Sequence, residues 1–339
     1  MVNDTTLHIP SGDRKLSTKA WILKSLREQT QAPLSGETMA AELHISRVAV
    51  WKAVQSLRTA GYRIAGDDKG YILEQQEEPE DFLYPWEFGE REKSFFHWDS
   101  TDSTMNRARD LAERGITAAV AVAETQTKGR GRSGRGWYSD RGGLFFTLLS
   151  RPSLAAADYT IISMAVQTAV CKALSELTGM KAELHWPNDV YIEGRKIAGI
   201  LTEFHAEGDR ITWISSGIGV NINNTLPGNR FASCGTLNGK PVSRREALTA
   251  ILDQAEAIQM EHKRELHRHW NNLAYGRGRP VVIIPPGHDD AGKTPSLDTI
   301  MGRGRFMGID SRGRGVIESQ GELKRFSPGS ASFLFQDEM

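Results

Sequence analysis

The most distinctive chemical feature of the sequence is a glycine- and arginine-rich segment from Lys128 to Trp137. Its letters, KGRGRSGRGW, alternate glycines with basic residues. Glycine lets a backbone approach a ligand closely, and the arginine guanidinium group binds phosphate or carboxylate through paired hydrogen bonds. We therefore expect a mobile cationic loop that closes over an anionic intermediate. For the segment taken alone, a solvated basic loop is the alternative.

Two familiar nucleotide-binding patterns do not describe this segment. Gly129, Gly131 and Gly134 satisfy the spacing G-x-G-x-x-G, but Trp137 and a predicted strand follow where a phosphate-binding helix should begin. A Walker A loop is also excluded, because Gly134 is followed by Arg-Gly and not by Lys and then Ser or Thr.

A second polar group follows a Trp-Pro turn. The run from Trp186 to Asp189 presents the Asn188 amide and the Asp189 carboxylate. Both suit a phosphate or its Mg²⁺, which prefers carboxylate and phosphate oxygens. Lys196 begins an otherwise apolar strand, so we expect its ammonium group to face an anion. A lysine at a sheet edge that extends into water is the alternative.

Two shorter segments complete the candidate site. Residues Gly217 to Asn221 end an apolar strand, and their small side chains allow a flat ligand to lie against the backbone while Asn221 offers an amide. Residues Asp102 to Asn106 open a helix with hydroxyl groups at its N-terminus, where a carbonyl or carboxylate is favoured.

The elements that position these segments alternate between helix and strand. The predicted helices are Met105–Gly115, Ile161–Thr178 and Arg244–Trp270. The predicted strands are Ala118–Ala123, Leu144–Leu149, Val190–Ile192, Ile197–Phe204 and Ile211–Ile218. This alternation predicts an α/β domain over residues 94–275. Short β runs separated by Gly and Pro predict a small β-barrel over residues 276–339.

The first 75 residues predict a winged helix-turn-helix domain. Three short amphipathic helices precede a hairpin with an Asp/Gly turn, and Ser46 suits the N-cap of the third helix. The residues expected to enter a DNA major groove are Ser46, Arg47, Ala49 and Lys52. The region is only slightly basic, so a module for protein contact is the alternative. Residues 76–93 are acidic and contain proline, which predicts a linker.

Composition narrows the class of protein further. The 339 residues hold 42 Lys and Arg against 42 Asp and Glu, so a nucleic-acid surface has to be local. The two cysteines, Cys171 and Cys234, exclude a disulfide scaffold and fit a reducing compartment. The polar N-terminus has no secretory signal, and no apolar run spans a bilayer. We expect a soluble, cytoplasmic protein.

The motifs occur together in the order and spacing of the biotin protein ligases. They are Ser103-Thr-Met105, Gln126 with Gly129-Arg-Gly-Arg-Ser-Gly134, Trp186-Pro-Asn-Asp189, Arg195-Lys-Ile-Ala-Gly199 and Gly219-Val-Asn221. With the winged helix, the chain resembles the bifunctional members that also repress the biotin operon. The resemblance implies an α+β multidomain fold: the winged helix, a class II synthetase-like mixed α/β domain and an SH3-like C-terminal β-barrel.

The resemblance also implies a role for each matching residue. The residues implied to bind biotin are Ser103, Thr104, Met105, Gln126, Gly129, Arg130, Lys196, Gly199, Gly217 and Gly219. Those implied to bind ATP and the adenylate are Arg132, Arg135, Trp137, Asn188 and Asn221. The implied catalytic residues are Lys196, Arg132, Arg135 and Asp189, with Asp189 also a candidate Mg²⁺ ligand. His185 stands where the family usually has Lys or Arg, which weakens any phosphate contact there.

The implied reaction consumes ATP with Mg²⁺ and has biotin as its substrate. The implied partners are the biotin carboxyl carrier protein of acetyl-CoA carboxylase, the operator DNA of biotin genes, and a second copy of the chain once the adenylate is bound. Three alternatives stay open: a ligase whose winged helix does not bind DNA, a related lipoate ligase, and a DNA-binding regulator without enzymatic activity.

Overall fold

The computed structural model describes residues 16–29, 32–74, 81–228, 230–259, 263–288 and 296–335. The chain divides into two compact units, one over residues 10–95 and one that contains residues 96–339. Within the described ranges, none of the helices has the length and apolar character needed to cross a membrane.

The N-terminal unit has three helices and a hairpin. Its elements are α1 (Thr18–Glu28), α2 (Gly36–Leu43), α3 (Arg47–Thr59), β1 (Ile64–Gly66) and β2 (Tyr71–Leu73). The side chains of Ser17, Ser35 and Ser46 accept hydrogen bonds from the first turns of the three helices, as N-caps do. His44 ends α2 in the left-handed conformation, at φ 55°. The predicted helix-turn-helix and its N-cap at Ser46 are confirmed.

Residues 81–93 belong to the stretch predicted as a linker, and side chains within them pack on this unit. Pro85–Ser94 forms helical turns with a kink at Gly89. The Glu87 side chain is only 1% exposed, because both terminal nitrogens of the Arg27 guanidinium donate to it at 2.8 and 2.9 Å and the Tyr62 hydroxyl donates to it as well. An acidic residue that finds such partners can be buried, which a count of charges does not reveal.

The second unit is built on a seven-stranded mixed sheet. Its elements are β3 (Phe95–Trp98), α4 (Thr104–Glu113), β4 (Ala119–Ala123), β5 (Leu144–Ser150), α5 (Thr160–Thr178), β6 (Ala182–His185), β7 (Asp189–Ile192), β8 (Arg195–Glu207), β9 (Arg210–Val220), α6 (Cys234–Asn238), α7 (Arg244–Gln259) and α8 (Lys263–Asn272). The strand order is β3-β4-β5-β9-β8-β7-β6. The predicted single helix Arg244–Trp270 is replaced by α7 and α8, and residues 260–262 lie outside the described ranges.

A smaller antiparallel sheet follows within the same unit. Its strands are β10 (Pro280–Ile284), β11 (Gly302–Ile309), β12 (Gly315–Ser319), β13 (Glu322–Phe326) and β14 (Ser332–Phe335), in the order β13-β12-β11-β10-β14. The strands of a closed barrel would also pair β13 with β14, but in the described residues β14 pairs with β10 alone. The described residues therefore form an open five-stranded sheet, and the predicted small β-barrel is not confirmed.

Both cysteines are buried in the second unit. Cys171 lies on α5 and Cys234 begins α6, and neither forms a disulfide. Burial raises the pKa of each thiol to about 12. The expectation of a chain without a disulfide framework is confirmed.

Candidate functional site

Three glycines form the floor of a cavity on β8 and β9. Gly199 pairs directly with Gly219, and Gly217 lies two residues earlier on β9, on the same face of the sheet. The Trp137 ring covers the first two: a Cβ at Gly199 would lie 2.7 Å from a ring carbon, and one at Gly219 would lie 2.3 Å from the indole nitrogen. Met105 covers Gly217 in the same way, at 2.7 Å. Any side chain at these positions would displace the wall above.

A chain of buried hydrogen bonds closes one end of the cavity. Gln126 Oε1 accepts from the Thr104 backbone N–H at 2.8 Å and from its hydroxyl at 3.1 Å, while Gln126 Nε2 donates to the Ser139 hydroxyl at 3.0 Å. The Thr147 hydroxyl donates to that of Thr104 at 2.9 Å. These bonds fix the orientation of the Gln126 amide. The cavity thus ends in fixed polar groups that suit a ligand carrying both N–H and C=O.

Hydrogen bonds to Asp102 hold the first turn of α4 in place. Asp102 accepts hydrogen bonds from the Asn106 amide at 2.6 Å, the Ser103 backbone N–H at 2.8 Å and the Thr101 hydroxyl at 3.1 Å. The bond from Asn106 is the main cause of an Asp102 pKa below its usual value. Ser103 itself caps α4 by accepting from the Met105 N–H at 3.3 Å. Its hydroxyl is therefore placed at the positive end of the helix.

The glycine-arginine segment is a small hairpin. Arg130 pairs with Gly136, the Gly131 N–H donates to the Arg135 carbonyl at 2.7 Å, and the Trp137 N–H donates to the Gly129 carbonyl at 2.9 Å. The hairpin lines the cavity, and the Trp137 ring packs on the glycines of its floor. Backbone pairing, and not solvation alone, gives this cationic segment its shape.

Side chains of the hairpin reach neighbouring elements. Arg132 Nη1 donates to Asn188 Oδ1 at 3.2 Å, which links the hairpin to the Trp-Pro turn. The Arg130 guanidinium donates to Asn106 Oδ1 at 3.0 Å and lies 3.9 Å from the Glu203 carboxylate on β8. Arg130 thus lines the cavity, while its guanidinium contacts α4 and β8.

A lysine and an aspartate face each other at the other end of the cavity. Lys196 Nζ lies 2.5 Å from Asp189 Oδ2 and 5.4 Å from the centre of the Trp137 ring. Asp189 Oδ1 and the Trp137 indole N–H are both buried without a hydrogen-bond partner. Leaving a buried polar atom unpaired costs about 1–3 kcal/mol, so two of them in one cavity indicate that a ligand completes it.

Most of the predicted enzyme residues line this one cavity. They are Ser103, Thr104, Met105, Gln126, Arg130, Arg132, Arg135, Trp137, Asn188, Asp189, Lys196, Gly199, Gly217 and Gly219. Gly129 does not: it packs against Ser139 beneath the hairpin. Asn221 is 1% exposed and lines a second, mainly apolar cavity with Trp137, Tyr138 and Phe231.

The structure adds residues that the motifs did not indicate. Ser139 and Thr147 anchor the buried hydrogen-bond chain, and Phe231, paired with Lys196 in a parallel bridge, lines both cavities. Phe333 of β14 lines the first cavity and stacks on Trp186, with ring centres 4.2 Å apart. No short motif signals them, because each reaches the site through pairing with a distant segment.

His185 lies in an aromatic cluster. It is 7% exposed and stacks on Tyr191 at 4.6 Å, with Tyr275 and Phe335 also within 5.5 Å. The imidazole therefore packs as part of the core at the edge of the cavity.

A buried ion pair supports the strand that leads to Gln126. Glu124 is 8% exposed and accepts from Arg244 Nη1 at 2.6 Å, with His97 Nε2 at 3.2 Å. Burial alone would raise the pKa of Glu124, but His97 and Arg244 outweigh it and the pKa is lowered. The carboxylate is thus held in its ionised form.

The outward face of α3 carries the predicted DNA-contacting residues. Ser46 caps the helix by accepting from the Ala49 N–H at 3.1 Å, and Arg47 and Lys52 are exposed. Ala49 is half-buried. The same face exposes two large apolar side chains that the sequence analysis passed over, Val48 and Trp51.

Comparison with known proteins agrees with this geometry. Residues 98–221 match the biotin/lipoate A/B protein ligase family, and residues 19–72 match an HTH domain. The chain is 29% identical over 309 residues to the bifunctional ligase/repressor BirA of Bacillus subtilis, which covers 86% of this chain and 91% of that protein. It is 39% identical over 124 residues to the biotin–[acetyl-CoA-carboxylase] ligase of Paracoccus denitrificans, which covers 36% of this chain and 52% of that protein.

A solved structure is similar to most of the chain. The biotin protein ligase from Aquifex aeolicus in complex with biotin and ATP shares 26% identity with a TM-score of 0.59, over 72% of this chain and 100% of that one. Residues 98–221 thus match the biotin/lipoate A/B protein ligase family and residues 19–72 an HTH domain, and homologues over most of the chain are named bifunctional ligase/repressors.

Proposed function

We propose that the chain is an ATP-dependent biotin protein ligase that also represses transcription of biotin synthesis genes. The observation that carries the ligase activity is the single cavity in which Lys196, the cationic hairpin and a fixed polar end meet over a glycine floor. The HTH match supports the DNA-binding activity.

In the first step, a biotin carboxylate oxygen attacks the α-phosphorus of ATP, and the bond to pyrophosphate breaks. The ring system of biotin, a cyclic urea, fits the polar end formed by Ser103, Thr104 and Gln126, while its tail runs beside the Trp137 ring towards Lys196. Lys196 then neutralises the carboxylate and the phosphate. Cations fixed in a buried site stabilise the charge that develops in such a transition state.

In the second step, a lysine amine of the carrier protein attacks the acyl carbon of the adenylate. The bond to the phosphate oxygen breaks, AMP leaves, and the amine gives up a proton. We assign Asp189 to orient or deprotonate that amine, because Asp189 lines the cavity and its Oδ1 has no hydrogen-bond partner. Arg132 and Arg135 retain the intermediate until the amine arrives.

The donor set fits a Mg²⁺ ion that enters with ATP. The described residues hold no group of three or more His, Cys, Asp or Glu side chains for a metal. Mg²⁺ characteristically uses one or two carboxylates plus substrate phosphates, so Asp189 alone suffices. The ion would neutralise phosphate charge during the first step.

The second cavity is the site that we propose for adenine. Its aromatic walls, Trp137, Tyr138 and Phe231, suit stacking on a flat base, and Asn221 offers an amide to the base edge. It shares Trp137 and Phe231 with the first cavity, so a base placed here continues from an acyl phosphate in the first.

We assign DNA binding to residues 1–75 and catalysis to residues 94–275. We assign residues 276–339 to an SH3-like domain, whose strand β14 contributes residues to the catalytic cavity. On this proposal the adenylate-bound chain forms a homodimer that binds the operator of biotin genes. The carrier is the biotin carboxyl carrier protein of acetyl-CoA carboxylase, and the compartment is the cytoplasm, where ATP and that carrier occur.

The deciding experiment measures transfer of radiolabelled biotin to a purified carrier domain. We expect label on the carrier only with ATP and Mg²⁺. We expect no label on the carrier when radiolabelled lipoate replaces radiolabelled biotin. Arg132→Gly should release the adenylate and label bystander lysines; Arg141→Gly, an exposed arginine outside the cavity, is the matched control. Equal transfer of lipoate, or no ATP dependence, would contradict the proposal.

A further inference from the structure

The recognition face of α3 exposes apolar surface at its centre. Val48 is 61% and Trp51 52% exposed, and the two lie one helical turn apart. The opposite face of α3 buries Val50 and Val54 completely. Val48 and Trp51 are therefore not part of the core of this unit, and their exposure carries a hydration cost that a ligand can remove.

The apolar pair is flanked by unpaired positive charge. Arg47 and Lys52 are exposed, and neither forms an ion pair or a side-chain hydrogen bond with the part of the chain that the structure describes. Two free cations beside an apolar pair suit a polyanion that also presents apolar groups. A neutral protein surface would leave both cations without a partner.

The wing, which is the hairpin formed by β1 and β2, adds little attraction for phosphate. Asp67 uses its carboxylate to accept the backbone N–H groups of Lys69 and Gly70, and Asp68 is exposed at the tip. With two acids beside one lysine, the wing does not act as a cationic clamp. Selectivity of this unit for one sequence must therefore come mostly from short-range contacts of α3.

Duplex DNA offers one apolar group in its major groove, the 5-methyl group of thymine. We propose, on the basis of the DNA-binding function proposed above, that Val48 and Trp51 contact thymine methyl groups and so determine which operator is bound. Residues three apart on a helix are separated by about 4.5 Å along its axis, close to the ~3.4 Å spacing of base pairs. The pair therefore selects thymine at two neighbouring base pairs.

The test compares duplexes that differ only in those methyl groups. The wild-type chain, with biotin and ATP, first selects a binding sequence from random duplex DNA. That duplex is then made again with deoxyuridine at single thymine positions, and its affinity is measured by fluorescence anisotropy. We expect a loss of about fourfold per contacted methyl group. The loss should be the same at low and high salt, because a methyl contact releases no counterions.

Variants assign the effect to side chains. Trp51→Ala and Val48→Ala should each abolish the preference for thymine at one position. Lys52→Ala should weaken binding and reduce its salt dependence, yet keep the preference. Leu323→Ala, at a residue of equal exposure in the other unit, should change neither. Because all these residues are exposed, thermal unfolding should stay close to that of the wild type.

The outcomes separate this inference from the function on which it rests. If the wild type enriches no sequence and binds no duplex, both the proposed DNA-binding function and this inference are wrong. If a sequence is enriched but deoxyuridine binds as well as thymine, or if Trp51→Ala and Val48→Ala keep the wild-type preference, only the inference fails. Loss of carrier labelling in Trp51→Ala with an unchanged preference would instead identify a protein-docking surface.

Discussion

The catalytic cavity and the outward face of α3 differ in whether their charged side chains have partners within the described residues. In the cavity, Lys196 already lies against Asp189, and Arg132 donates to Asn188. On α3, Arg47 and Lys52 have no such partner among the described residues. A reaction requires charges fixed before the substrate arrives, whereas a polyanion can supply the missing partners itself. The contrast therefore distinguishes a site built for chemistry from a surface built for binding.

The largest expected effect tests the fixed charge of the cavity. Lys196→Ala should lower adenylate formation about 10³-fold, because the transition state loses a cation fixed within the cavity. Biotin-dependent exchange of labelled pyrophosphate into ATP measures this step. Lys181→Ala removes an exposed lysine, 76% exposed at its side chain, and should leave the rate unchanged. A loss below threefold for Lys196→Ala would mean that the cavity does not rely on preset charge.

The second test breaks a buried pair that supports the cavity. Glu124→Ala leaves Arg244 buried without its carboxylate, and breaking such a pair costs about 3–5 kcal/mol. Hydrogen exchange of the β4 amides should show this loss of opening free energy. Glu183→Ala, which removes the partner of the exposed Lys181, should cost under about 1 kcal/mol. Equal effects of the two variants would contradict the distinction between a buried and an exposed ion pair.

The same carboxylate gives a pH dependence with a definite sign. The folded-state pKa of Glu124 lies below its unfolded value, so its contribution to stability is present above the unfolded pKa, about 4.5. That contribution is lost as pH falls through the folded value. The stability gap between wild type and Glu124→Gln should therefore be constant at neutral pH and shrink below about pH 4. A gap that widens on acidification would show that the carboxylate is not held ionised.

The third test concerns the frame of the DNA-binding face. Ser46→Ala removes the N-cap of α3 and should destabilise that helix by about 1 kcal/mol. Hydrogen exchange of the α3 amides measures the change. Ser56→Ala, within the same helix and away from its cap, is the matched control. If both variants behave alike, the cap does not define the start of the recognition helix.

The smallest effect tests the unpaired charge of α3. Lys52→Ala should weaken DNA binding only a few-fold and reduce the slope of affinity against salt concentration by about one unit. Binding titrations at several salt concentrations measure that slope. An unchanged slope would mean that Lys52 is not in contact with phosphate, and the contrast with Lys196 would then be one of position alone.

Local patterns were sufficient for the parts of the site that are contiguous in sequence. Ser103 at the start of α4 and the turn before Asp189 lie where motif and spacing predict them, whereas the segment around Arg132, predicted as a mobile loop, is a paired hairpin. The helix-turn-helix was predictable for the same reason, since its caps and apolar periodicity are local. Each of these features depends on residues within about one turn or hairpin of each other.

Features that depend on distant pairing were not predictable. The register that sets Gly199 opposite Gly219 creates the floor of the cavity, and the return of β14 to β10 brings Phe333 to its rim. Neither follows from the periodicity of one strand. Glu87 was counted with a solvated acidic run because its partners, Arg27 and Tyr62, lie 60 and 25 residues away.

The burial of both cysteines has a practical consequence for following the hairpin. With thiol pKa values of about 12 and no access to solvent, Cys171 and Cys234 resist alkylation at neutral pH. A single engineered thiol, such as Ser133→Cys at the hairpin tip, could then take a maleimide dye without removal of either native cysteine. Fluorescence from that position would record when the tip responds to biotin, to ATP and to the carrier.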